Sequence, residues 1–155
     1  MPLDFTQRLI AAAPPPTSDC MQLTSLLIPA LSSQLRALSG WLDKAEAFAA
    51  ERGESIDGLL ALRLAPDMFP LTTQLRFLCF QVQEPIHRLR GEEVPEAVLQ
   101  VGQEGGDAGE GPGSWPEARA RVAEAARLLA AVGPDEFDAA ADQPILHELP
   151  NGMIF

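Results

Sequence analysis

Arg63-Leu64-Ala65-Pro66-Asp67-Met68-Phe69-Pro70-Leu71-Thr72-Thr73-Gln74 is the stretch on which the reading of this chain turns. A proline disfavours helical backbone at the residue before it, so Pro66 and Pro70 push Ala65 and Phe69 out of the helical region. A helix arriving from the N-terminal side must therefore stop near Arg63, and a new one starts near Pro70. Proline suits the beginning of a helix, where its missing N–H costs little. The Asp67 carboxylate is placed to cap the turn between them. Met68 and Phe69 are apolar, so the corner is expected to tuck onto a core.

Helical periodicity extends on both sides of the corner. Upstream, Leu31, Leu35, Leu38, Leu42, Ala45 and Ala49 recur at steps of three and four, which predicts a helix over residues 24–52. Trp41 and Phe48 widen its apolar stripe, Thr24 or Ser25 can cap it, and Gly53 ends it. A short helix is expected from Ser55 to Arg63. Downstream, Leu71, Leu75, Leu78, Val82, Ile86 and Leu89 share one face of a helix over residues 70–90. Phe77 and Phe80 project from the far side, as an apolar surface open to a partner. Ser114-Trp115-Pro116-Glu117 spells a capping box with proline in the first turn. It opens a third helix, with Ala118, Val122, Ala125, Leu129 and Val132 as its stripe. The fold class is all-α.

Two segments read differently. Residues 92–114 contain VGQEGGDAGEGPG, rich in glycine and bearing only acidic charge, so a disordered loop is expected at about 102–114. Its glycines match no phosphate loop, because no Lys-Ser/Thr follows them. Near the end, Ile145 to Leu149 alternates between Pro144 and Pro150, and Pro150-Asn151-Gly152 signals a turn, which together predict a short β-hairpin. Residues 1–22, with Pro14-Pro15-Pro16, read as an N-terminal extension and stiff linker before a domain over 23–155.

The totals exclude several classes. With 155 residues the chain has room for one core. The 11 basic residues face 22 acidic ones, a net charge of −11, and such a surface repels phosphate backbones and anionic lipid. No nucleic-acid or membrane partner is expected. Two cysteines make no disulfide framework, and no apolar run is long enough to span a bilayer. The expected compartment is the cytoplasm.

The corner resembles the RLAPDMFPLxxQ signature of an uncharacterised family of small bacterial and fungal proteins, similar to the DinB/YfiT-like four-helix bundles. The resemblance runs from about Met21 to Phe155. It implies an up-down helical bundle in which this chain lacks the fourth helix, with the hairpin as a remnant before it. Many DinB-like proteins hold a divalent metal through three histidines. This chain offers His87, His147 and Cys79, none at ligand spacing, so neither a metal nor another cofactor is expected. The acidic pairs Glu92/Glu93 and Asp135/Glu136/Asp138 read as solvated surface.

No catalytic constellation emerges. The reading is of a helical binding or interaction module without established activity, with Phe77 and Phe80 as its surface. The alternative is a small-molecule protein with a pocket near Arg63, Asp67 and Gln74. An uncovered apolar seam would lead to self-association or to a protein partner in the fourth-helix position.

Overall fold

The computed structural model describes residues 22–107 and 111–145. Four α-helices run in order: α1 (Leu23–Arg52), α2 (Leu71–Leu89), α3 (Glu96–Asp107) and α4 (Trp115–Ala130). Two short 3-10 turns sit at Ile56–Ala61 and Asp138–Ala140. No strand occurs among the described residues. Ile145, where the expected hairpin would begin, is exposed, and the rest of that hairpin lies outside them.

The periodic stripes become the core. Leu35, Leu38, Leu42 and Ala49 of α1 are buried, as are Leu75, Cys79, Val82 and Ile86 of α2 and Val122, Ala125 and Leu129 of α4. Burial of a Leu-sized side chain is worth roughly 1.5–3 kcal/mol, so these stripes supply most of the drive to pack. α2 is the hub, with α3 on one flank and α4 across its inner face, while α4 also packs against α1. α1 and α2 share almost no direct contact.

Two helix starts are finished by distant residues. The sequence offers Thr24 or Ser25 as the α1 cap, but Gln22 occupies that position and makes no side-chain cap. Asp138 does the capping instead, its carboxylate accepting the Thr24 N–H at 2.9 Å. The Thr24 hydroxyl accepts the Phe137 N–H at 2.9 Å in return. At α4 the predicted capping box forms, with Ser114 and Glu117 bonded reciprocally. Asp57 adds a bond from the Trp115 N–H at 2.6 Å. Carboxylates at helix N-termini also favour the helix dipole.

The expected loop at 102–114 is helical over its first part, residues 102–107, and has no regular structure at 111–114. Residues 96–107 are α3, with Val98, Val101 and Gly105 buried. A Cβ at Gly105 would lie 2.7 Å from the Phe77 ring, and one at Gly102 would lie 3.1 Å from the Phe80 ring. The glycines therefore act as sockets for two aromatic rings, and burial of those rings offsets the low helix propensity of glycine. Residues 108–110 lie outside the described part.

Candidate binding groove between α1 and α2

α1 rises from Leu23 and α2 descends from Leu71, so Trp41 lies level with the start of α2. Both helices rest on α4 and make few close approaches to each other. The result is an open groove of about 480 Å³ lined by Ala37, Leu38, Trp41, Leu71, Leu75 and Leu78, with Ser33, Gln34 and Gln74 at its lips. Trp41 is 65% exposed there, on a chain whose other tryptophan, Trp115, is buried. The stripe reading puts Trp41 beside the core, but among the described residues no neighbour covers that side of α1. Phe48, further along, is half exposed and carries the Arg52 guanidinium over its ring at 5.1 Å.

The corner does not tuck in. Leu64 is 92% and Phe69 54% exposed, and Met68 and Leu62 are exposed too. Pro70 alone is fully buried, as the residue preceding α2. The turn is closed by backbone bonds, from the Leu71 N–H to Leu62 and from the Met68 N–H to Ala65. Arg63 donates to the Met68 carbonyl at 2.6 Å. Arg63 thus performs the closure that sequence assigns to Asp67, whose carboxylate is exposed. Of the expected trio Arg63, Asp67 and Gln74, the structure brings only Gln74 to the groove.

Phe77 and Phe80 are not a free surface. α3 covers them through Gly105 and Gly102, and Phe69 packs edge-on against Phe77 with ring centroids 5.8 Å apart at 86°. The signal for this was the matching spacing of three in both pairs, which glycine composition obscured.

Chemistry-bearing groups elsewhere are committed to structure. Cys79 is buried and its thiol is pushed up to about 11 by burial. His87 lies 3.0 Å from the Glu92 carboxylate at the end of α2, and His147 lies outside the described residues. Among the described residues no three His, Cys, Asp or Glu side chains gather as a metal set. Glu104 of α3 stands between Arg76 of α2 and Arg121 of α4, and Arg76 also donates to the Gly111 carbonyl at 3.2 Å. Arg119 reaches α1 through Asp43 at 2.6 Å and Glu46 at 3.3 Å. Glu136, read from sequence as solvated, is bonded to Arg90 and to the Gly133 N–H, and both hold its carboxyl below the usual range.

One family model matches residues 23–154, described as Domain of unknown function (DUF1993). The chain belongs to that family. No curated protein and no solved structure matches it significantly. The DUF1993 match includes the groove, the corner and α3 but begins at Leu23, the first residue of α1. No activity is established for this family, and no described helix is long and apolar enough to cross a membrane.

Proposed function

We propose that this protein is a helical interaction module whose α1/α2 groove receives an apolar helix. The observation that carries this reading is the exposed Trp41 above an open floor of Ala37, Leu38, Leu75 and Leu78. Contiguous apolar surface in a groove marks an interaction site, and helix-in-groove binding uses this kind of lining. Tryptophan is also among the residue types that dominate binding energy at interfaces. The bundle relation to DinB-like proteins fits the same reading, since the groove falls where two neighbouring helices lack a common cover. The acidic surface disfavours nucleic acid and anionic lipid as partners.

The test is Trp41 quenching by acrylamide in the purified full chain, with an apolar dye as second probe. Trp115 is buried and gives a constant background. A shielded Trp41 means that the groove is filled by this chain, in cis or in a self-associated form, and light scattering separates those two. An accessible Trp41 with dye binding that Leu78→Glu abolishes means a vacant docking surface. Both outcomes support the reading. An accessible Trp41 with no dye bound sinks it.

A small-molecule role has one observation in its favour. The groove volume lies in the range of ligand pockets, and Gln34 and Gln74 offer polar groups beside an apolar wall. A thermal-shift screen of metabolites tests it, with Leu78→Glu as the variant that should remove any hit.

A further inference from the structure

We propose that the occupant of the α1/α2 groove is the same face of a second copy, with the two α1 helices antiparallel about a two-fold axis at Ala37. This rests on the docking reading of the groove and names what docks.

Three observations converge. The first is the placement of the exposed apolar side chains of α1. Leu26, Trp41 and Phe48 are the large ones in water, at 55%, 65% and 48% exposure. At about 100° per residue all three fall within about 60° of one another, on the flank that faces the groove. Leu26 and Phe48 stand eleven residues to either side of Ala37. Eleven residues are close to three full turns, so both ends share the direction of Ala37 to within about 20°. A two-fold axis pairs positions equally far from it. Through Ala37 it sets Phe48 of each copy against Leu26 of the other.

The second is volume. Between Leu26 and Trp41 the flank carries Ala30, Ser33 and Ala37, all small and exposed. The same axis sets Trp41 of one copy against Ser33 of the other, and Ala37 against Ala37. Ser33 and Leu78 line the end of the groove away from Trp41. Each indole thus enters that end of the other copy's groove, and neither groove is covered without the other copy's tryptophan. Large against small is the arrangement that packs.

The third is charge. The chain carries −11, so two copies repel each other over most of their surface. From Leu26 to Phe48 the groove flank of α1 holds no carboxylate, and its one charge is Lys44. Arg36 lies on another side of α1, beside Ala126 and Ala130 of α4. Asp43 and Glu46 turn to Arg119 of α4. On the other wall Leu71, Gln74 and Leu78 are uncharged. Depletion of charge around an aromatic anchor marks the centre of an interface. Size agrees with this. About 33 Å of α1 and the facing edge of α2, about 20 Å wide together, give a footprint of about 660 Å² on each copy. Specific interfaces begin at about 600 Å² per partner. A contact of this symmetry closes at two copies.

The experiment is light scattering after size exclusion of the full chain. The expected mass is twice 16.7 kDa. The dimer should tighten at high salt, because screening weakens the repulsion between two copies of like charge. Ala37→Glu brings two carboxylates together at the axis, and Ala37→Lys two ammonium groups. Each variant should run as a monomer at concentrations where the wild type is dimeric. Mixed in equal amounts, they should recover a dimer with one of each. Both substitutions put a good helix former at an exposed position, and unchanged circular dichroism shows that each variant is folded.

A wild-type dimer that survives Ala37→Glu overturns the proposal. Loss of the dimer in both variants without recovery on mixing overturns the axis at Ala37, and the proposal with it. A wild-type monomer whose Trp41 is shielded from acrylamide overturns it and leaves the docking reading standing, with an occupant in cis. A monomer with an accessible Trp41, and dye binding that Leu78→Glu abolishes, overturns it and leaves the groove vacant for another protein. A monomer with an accessible Trp41 and no dye binding removes both.

Discussion

α2 has two flanks, and they are built in opposite ways. Against α3, large rings on one helix meet glycines on the other, and the helices close on each other. Against α1, Trp41 and Leu38 face Leu71, Leu75 and Leu78 across an open groove, and the helices stay apart over α4. Both flanks are apolar, so hydrophobicity does not decide which one closes. Side-chain volume does, because interiors pack only where large groups meet small ones. A glycine-rich segment that looks too weak to order is the one that fits, and a leucine- and tryptophan-rich face is the one left open.

The largest test of that contrast removes the rings. Phe77→Ala with Phe80→Ala should cost about 4 kcal/mol in chemical denaturation, since each ring is partly buried and Phe→Ala in a full core costs about 3–5. Leu64→Ser, at a side chain almost wholly in water, should stay within about 0.5 kcal/mol. Equal effects would mean that α3 does not seat on those rings.

A finer test separates neighbouring glycines. Gly105→Ala should destabilise by about 1–2 kcal/mol, because the overpacking against Phe77 outweighs the better helix propensity. Gly106→Ala meets nothing within 4 Å and should stabilise by about 0.5–1 kcal/mol. If both alanines raise the melting temperature, the socket description fails. Phe69→Ala should cost about 1 kcal/mol, the worth of an edge-on aromatic pair with partial burial. A loss of several kcal/mol would put that ring in the core after all.

The smallest effect is electrostatic. The Arg90 guanidinium and the Gly133 N–H hold the Glu136 carboxyl below its usual value. A depressed folded-state pKa stabilises above the unfolded carboxylate range and loses that stability as pH falls through the folded value. The melting-temperature gap between wild type and Glu136→Gln should therefore be present at pH 7 and vanish in acid below the usual carboxylate range. A gap that persists at low pH would assign it to packing.

Much of this architecture is legible in the residues. The stripes of α1, α2 and α4 follow from apolar spacing, and Ser114-Trp115-Pro116-Glu117 marks the start of α4 without help from the rest of the chain. α3 is illegible by the same rules. Its glycines lower local helix propensity, and only the rings of Phe77 and Phe80, some 25 residues earlier, restore the balance. The corner misleads for a related reason. Met68 and Phe69 are apolar, but the turn they sit in is closed by Arg63 and backbone bonds, so Met68 stays exposed and Phe69 only sets its edge against Phe77. The groove is the hardest feature to foresee, because periodicity reports which face of a helix is apolar and not whether two such faces meet.

The cap on α1 has a consequence for synthesis. The first turn of α1 is completed by residues that lie 113 and 114 positions later in the chain. A nascent chain leaves the ribosome N-terminus first. The α2/α3 pair can assemble as it emerges, since its contacts are close in sequence, while α1 waits for α4. The start of α1 has no such local partner, and it stays frayed until Phe137 and Asp138 are out of the exit tunnel. The loop they close is long, though closure entropy grows only with the logarithm of its length. Folding of this chain thus finishes at the start of its first helix, and a ribosome stalled before Phe137 would hold a bundle with that first turn open.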